Sequence, residues 1–275
     1  MENKSIIKKI IGILLVLASL VGLYFYSTKY MPKAFELSYE TYSASTIPAS
    51  FDGFKIAFVS DFDLKTTEDM DYLETCIQTI NQAQCDMVIF GGDLYEANIF
   101  DENRLISILK SLEINSGKLA VLGENEFKSN TENCIQILEE SGFEVMRNSA
   151  HYIYAGDDRI TFAGLENNGN VDSLLNEEMK TGFVLSAVHQ PDYFKEIQNS
   201  SSTLQLSGHS GGGFISLPWL GGIIKLTGSE TYVQNEISQN GHRLMVSNGI
   251  GMGHNKTMRF NCHPNALIIT LQASS

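Results

Sequence analysis

The sequence predicts an α/β domain of two facing sheets with helices outside, preceded by one N-terminal transmembrane helix. Three observations predict it. Residues 10–26 (IIGILLVLASLVGLYFY) are an unbroken run of apolar and small side chains flanked by lysines. From residue 54, short apolar runs alternate with helical spacings. Past residue 150 the chain turns to short β-rich pieces separated by turns.

The apolar run sits at the short end of what crosses a bilayer. A cleaved signal peptide has a similar apolar core, but Ser27-Thr28-Lys29-Tyr30-Met31-Pro32 shows no small-x-small cleavage pattern, so an uncleaved signal anchor is favoured. Lys4, Lys8 and Lys9 hold the N-terminus in the cytoplasm by the positive-inside tendency, whereas Lys29 and Lys33 pull the other way. The expectation is a single-pass, membrane-anchored protein with an extracytoplasmic domain. Residues 1–33 would form the anchor and its flanks, 34–53 a stalk, and 54–275 the domain.

The 275 residues, 43% hydrophobic, suffice for one sizeable core. Five lysines and one glutamate in residues 1–33 give that segment +4 of the formal net charge of −13, leaving −17 on the rest. A body this acidic repels DNA, RNA and anionic membranes, which sets nucleic-acid binding aside. The cysteines Cys76, Cys85, Cys134 and Cys262 are dispersed and do not have zinc-knuckle spacing. Cys76 and Cys134 fall on apolar helix faces, as buried small hydrophobes do. A domain outside the cytoplasm would permit a disulfide, and the three pairings stay open.

The first half sets out its elements plainly. Lys55–Ser60 reads as a buried strand running into Asp61-Phe62-Asp63. Met70, Leu73, Cys76, Ile77 and Ile80 predict a helix over 69–82. Met87–Phe90 is the next strand, ending in Gly91-Gly92-Asp93, and Leu105, Ile106, Ile108 and Leu109 mark a second helix. Lys118–Leu122 ends in Gly123-Glu124-Asn125-Glu126, with a third helix at Cys134, Ile135, Ile137 and Leu138. Strands alternating with helices imply a parallel sheet whose carboxyl-end loops gather on one edge. Asp61, Asp93 and Glu124 should therefore meet in space.

In the second half, strands are expected at 151–154, 160–164, 183–189, 204–208, 244–247 and 266–271, with weak helices near 171–179 and 191–198. Two of these strands end in His189-Gln190-Pro191-Asp192 and Gly208-His209-Ser210. Singly, an Asp after a strand is usually a cap or turn residue, and a lone His is usually structural. Five successive strand ends carrying Asp, Asp, Glu, His and His are harder to attribute to chance. His151, His242, His254 and His263 are taken as ordinary surface or loop histidines, although His254, in Gly251-Met252-Gly253-His254, could approach the site.

The blocks S-D-x-x-L (60–64), G-G-D-L (91–94), V-L-G-x-x-x-F (121–127), H-Q-P-D (189–192), S-G-H-S-x-G-G (207–213) and S-N-G-I-G…R-F-N-C-x-P (247–264) resemble, in this order, the calcineurin-like metallophosphoesterases. The resemblance is nearest to their membrane-anchored bacterial branch, which includes relatives of lipid pyrophosphatases. It implies a four-layer α/β/β/α sandwich and phosphate-ester hydrolysis with two metal ions bridged by an Asp.

Carried over by position, the resemblance places metal ligands at Asp61, Asp63, Asp93, Glu124, His189 and His209. Asp63 stands where the family has histidine, Glu124 where it has asparagine, and Asn125 where it has the catalytic histidine. Gly211 replaces a second histidine. One half-site (Asp93, Glu124, His189, His209) keeps two imidazoles and two carboxylates, a set for manganese, zinc or iron. The other (Asp61, Asp63, Asp93) is all oxygen and suits a weakly held second metal such as Mg²⁺, Ca²⁺ or Mn²⁺.

The leading expectation is a metal-dependent phosphoesterase acting outside the cytoplasm, at the membrane, on a phosphorylated small molecule or lipid headgroup. The alternative is an impaired pseudo-phosphoesterase that binds one metal or a ligand. A metal-free partner-binding protein is the third reading, and the sequence names no protein partner.

Overall fold

The computed structural model describes residues 2–96, 101–253 and 258–274. It opens with helix α1 (Glu2–Phe25), continued by a wide turn at Tyr26–Tyr30 and a tight one at Met31–Lys33. Among the described residues, Ser5–Lys33 is the span long and apolar enough to cross a membrane, and its apolar stretch packs against nothing in the domain.

Two six-stranded sheets follow. The first contains β1 (Glu36–Ala44), β2 (Lys55–Val59), β3 (Met87–Phe90), β4 (Gly117–Ala120) and β5 (Glu144–Val145). The second contains β6 (Ser149–Ala155), β7 (Asp158–Leu165), β8 (Val184–Val188) and β9 (Leu204–Ser207). After the small hairpin of β10 (Ser216–Leu217) and β11 (Gly221–Gly222), β12 (Asn235–Gln239) and β13 (His242–Val246) complete the second sheet, and β14 (Asn265–Ala273) returns to the first. The strand orders are β1-β14-β2-β3-β4-β5 and β12-β13-β9-β8-β7-β6. Strands β2 to β5 are mutually parallel, as are β7, β8, β9 and β13, while β14 runs antiparallel to β2.

Alternation along each strand explains the layering. Ile56, Phe58, Met87, Ile89, Leu119 and Val121 face Phe162, Leu185, Ala187, Leu204 and Leu206 of the opposite sheet. Their neighbours Ala57, Val59, Val88, Phe90, Ala120 and Leu122 face the helices α2 (Thr67–Asn81), α3 (Glu102–Lys110) and, after the short α4 (Glu124–Lys128), α5 (Thr131–Glu140). Outside the second sheet, Ala163, Val184, Val188 and Leu244 pack on α6 (Val171–Leu174) and α7 (Phe194–Ile197). This is the α/β/β/α sandwich. Each fully buried aliphatic or aromatic side chain contributes about 1.5–3 kcal/mol. Helix starts are fixed locally: Thr66 Oγ accepts the Asp69 N–H while Asp69 returns a carboxylate to the Thr66 N–H.

Residues 34–53 do not form the expected stalk. Residues 36–44 are edge strand β1, paired in register with β14 from Glu36–Asn265 to Ala44–Ala273. One face of that strand is solvated, so its polar sequence conceals a partner more than 220 residues away. Asn265 N donates to Gly249 O (3.1 Å), which puts the starts of β1 and β14 at the edge where β2, β3, β4, β8 and β9 end. The N-terminal helix therefore joins the domain at that edge.

Candidate metal centre

Strand ends that carry ligand-type residues depart from ordinary backbone geometry. Asp61, Asp63, Asp93 and His209 all adopt left-handed backbone, with φ of +53°, +48°, +63° and +67°. Such a conformation costs an L-residue ~1–2 kcal/mol. Four instances in one cluster mark the constrained backbone that functional sites retain. The loops after β3 and β4 approach closely: a Cβ on Gly123 would lie 2.2 Å from Asp93 Oδ1. Only glycine lets the β4 loop meet the β3 loop.

Asp93, His189 and His209 come together, fully buried, with a potential ligand atom from each within 4.8 Å of the others. His189 Nε2 lies 3.3 Å from Asp93 Oδ2. Its Nδ1 hydrogen-bonds Gly91 O at 2.7 Å, which fixes the ring and turns Nε2 to the cluster. His209 is held the other way round, with Nε2 on Thr227 O at 2.8 Å. The H-Q-P-D block supports that arrangement. The Asp192 carboxylate accepts the N–H groups of Glu230, Thr231 and Tyr232, and Asp192 N donates to Gly228 O, so the loop carrying Thr227 is pinned beside His209.

The remaining sequence-derived positions surround this trio differently. Both Asp61 oxygens accept the His209 N–H (2.9 and 3.0 Å), and Oδ1 lies 4.0 Å from His189 Nε2. Asn125 N donates to Asp93 Oδ1 (2.8 Å), and its Nδ2 donates to Asp63 Oδ1 (2.9 Å). Glu124 stands at the rim, a quarter exposed, with Lys128 Nζ on Oε2 at 3.0 Å and Gln190 Nε2 on Oε1. Its Oε1 is 4.0 Å from His209 Nε2, the nitrogen already bound to Thr227. His151 pairs with Glu144, His242 with Ser202 O, and His263 with Ala34 O and Glu36. His254 lies outside the described residues.

Glu126 was not singled out from the sequence. Fully buried, it accepts the N–H groups of Asp93 (3.0 Å), Leu94 (2.6 Å) and Gly123 (2.6 Å), tying the two glycine-rich loops together. Its place three residues after Gly123, at the start of α4, is the capping-box position and is the signal that could have found it. Arg259, in the R-F-N-C block, is another. It is buried and donates to Asn248 O (2.9 Å), Gly251 O (2.7 Å) and Gly211 O (3.3 Å). That fastens the loop whose Ile250 and Gly251 N–H groups bind Ser60 O and Asp61 O.

The electrostatics follow from crowding acids in a dry site. Burial, then the charges of Asp93, Asp61 and Glu96, holds Asp63 well above the ordinary carboxylate range. Burial and Asp93 likewise raise Asp61, the imidazoles opposing. Burial alone would disfavour charged His189, but the Asp93 and Asp61 carboxylates override it and raise its pKa well above the usual value. His209 is lowered, by burial and by the neighbouring His189. Glu124 is lowered: burial works against it, and Lys128, His209 and Gln190 prevail.

The two half-sites differ in fit. Two buried imidazoles and a carboxylate, each oriented from behind, suit a divalent ion. The half built on Asp61 and Asp63 offers carboxylates without an imidazole. Asp63 is bonded to Asn125, and Gly211 (φ +56°) brings no donor. A Cβ at 211 would fall 2.3 Å from the Phe214 ring, which fills the space a histidine would need.

No protein-family model matches the chain. An uncharacterised Bacillus subtilis metallophosphoesterase, YkuE, is 28% identical over all of this chain and 99% of its own length. An uncharacterised metallophosphoesterase of Aquifex aeolicus is 25% identical, covering 93% of this chain and 98% of that one. A zebrafish transmembrane protein with a metallophosphoesterase domain is 23% identical over 61% of this chain and 42% of its own. Among solved structures, a zebrafish dimetal phosphatase superposes with a TM-score of 0.40 at 10% identity, over 72% of this chain and 88% of that one. Full-length similarity to these metallophosphoesterases agrees with the ordered sequence blocks and the buried Asp–His–His cluster: over its whole length the chain is similar to metallophosphoesterases.

Proposed function

We propose that the protein is a membrane-anchored, extracytoplasmic phosphoesterase that uses one buried metal to hydrolyse phosphate esters or anhydrides at the bilayer surface. The observation that carries this reading is the Asp93–His189–His209 cluster at the same sandwich edge where the N-terminal helix joins. Asp93, His189 and His209 would hold manganese, zinc or iron, with Glu124 at the rim. A bound ion supplies Lewis acidity to a phosphoryl oxygen and acidifies water. The chain's own groups do the rest. Gly91 O and Thr227 O orient the imidazoles. Lys128 and Gln190 present a cation and an amide at the mouth for the phosphate.

Asn125, at the family's histidine position, can donate a hydrogen bond but cannot deliver a proton. Proton delivery is worth ~10²–10⁴ in rate. Leaving groups that depart unprotonated, such as a phosphate or nitrophenolate, should therefore be strongly preferred over alkoxides. A phosphorylated lipid headgroup or a small phosphoanhydride fits this chemistry and the anchor's position.

The test is hydrolysis of bis-p-nitrophenyl phosphate by the full chain in detergent with Mn²⁺, expected to vanish in Asp93→Ala. Absence of turnover with every divalent ion removes the reading. A second reading, one bound metal without turnover, is favoured by the Asn125–Asp63 bond and by Phe214 beside Gly211. Stoichiometric metal with no hydrolysis of nitrophenyl or anhydride substrates would establish it.

A further inference from the structure

We propose that the β10–β11 hairpin is a second membrane contact, inserting Trp219 and Leu220 into the bilayer interface beside the N-terminal helix. This rests on the reading of that helix as a membrane span.

The hairpin tip is built unlike the rest of the surface. Trp219 is 100% exposed and Leu220 75%, with Ile223 also exposed. Residues 211–224 (GGGFISLPWLGGII) contain no charged side chain in a chain of net charge −13. Large apolar side chains grouped on an exposed tip mark a surface made to be covered. Tryptophan, with an apolar body and one N–H, is enriched where bilayer meets water.

Position identifies the cover. The strand leading into the tip is fastened to residue 260: Ser216 N donates to Phe260 O (2.9 Å), and Ile215 bridges Phe260. The adjoining Arg259 N donates to Ser27 O (2.9 Å). Ser27 is buried and sits one residue beyond the apolar run that ends at Tyr26. The hairpin is thus fixed directly to the point where the helix would leave the lipid. The three-residue turn 218–220 doubles back between paired Leu217 and Gly221, so its backbone reaches roughly 5 Å past β10, with the Trp219 and Leu220 side chains beyond it. The polar interfacial zone of one leaflet is about 6 Å deep. An uncharged tip avoids the repulsion that the acidic body meets at a bilayer. The same edge carries the metal cluster, so insertion turns the site mouth toward the lipid surface.

Trp219 is the chain's one tryptophan, so intrinsic fluorescence reports on it alone. The full chain is reconstituted in neutral phosphatidylcholine vesicles and floated. Expected are a blue-shifted emission relative to the unfolded chain, quenching by phosphatidylcholine brominated near the headgroup, and weak quenching by aqueous acrylamide. As reference, Tyr154→Trp in a Trp219→Phe background places the fluorophore at the opposite end of the sandwich, where Tyr154 is 60% exposed, and should behave as water-exposed. A floating protein whose Trp219 is quenched by acrylamide like that reference, and not by brominated lipid, overturns the proposal. Acrylamide protection without brominated-lipid quenching assigns the tip to a second copy of the chain and also overturns it. A chain that does not float overturns the membrane reading itself, and the hairpin contact with it.

Discussion

Glu126→Gln isolates the element that aligns the metal cluster without touching a ligand side chain. The carboxylate accepts from Asp93 and Gly123 at Oε2 and from Leu94 at Oε1. An amide keeps one acceptor oxygen, so at best two of the three bonds survive, and its NH₂ then faces the Leu94 N–H. A hydrogen bond to a charged group contributes ~1.5–3 kcal/mol, and a stranded buried donor adds desolvation cost. Opposing this, the substitution removes a buried charge that burial and Asp93 both disfavour, which is why Glu126 holds its proton more tightly than an ordinary glutamate. The net expectation is a loss of about 2 kcal/mol. For a domain of this size that lowers Tm by roughly 4–8 °C. Because Asp93 is positioned through its own N–H, metal affinity should fall about 10–100-fold, as for other supporting groups behind ligands. Calorimetry and metal titration of the two proteins measure both. Unchanged Tm together with unchanged affinity would refute the role assigned to Glu126.

Three further outcomes are expected. All four cysteines are buried and free, with Cys85 pushed up to about 11 and Cys76 to about 12, chiefly by burial. Ellman's reagent at pH 8 should therefore find almost no fast thiol in the native protein and four after unfolding. Asp61 and Asp63 hold protons more tightly folded than unfolded, so the stability they contribute is complete below pH 3.8 and is lost as pH rises toward their folded values. Each tenfold difference in proton affinity is worth about 1.4 kcal/mol. Melting of the metal-free protein should show Tm falling over that window, less steeply in Asp63→Asn, with divalent metal restoring it at neutral pH. Gly211→His forces an L-residue into φ +56° against the Phe214 ring. It should cost at least ~1–2 kcal/mol and leave metal content unchanged; a second bound equivalent would refute the blocking role of Phe214.

The legible parts of this molecule were those encoded locally. Lys55–Val59, Met87–Phe90 and Val184–Val188 announce themselves because both faces are buried, giving near-continuous apolar runs. Asp61, Asp93, His189 and His209 follow because parallel topology brings those ends together. What stayed hidden depends on distant partners. Strand β1 has a polar, half-solvated sequence, and only β14 reveals it. Glu124 stands at a loaded strand end, yet Lys128 one turn on and Gln190 from another loop compete for its oxygens. Phe214 beside Gly211, and the carbonyls of Gly91 and Thr227 behind the imidazoles, are tertiary facts with no local signature.

A single buried metal held by Asp93, His189 and His209 is the centre of the proposed function. Elemental analysis of the full-length protein, loaded with Mn²⁺ or Zn²⁺ and dialysed, measures it directly. One equivalent per chain is expected, lost in His189→Ala and kept in Asp63→Ala. Two equivalents at full occupancy, none, or one that persists in His189→Ala would contradict the account.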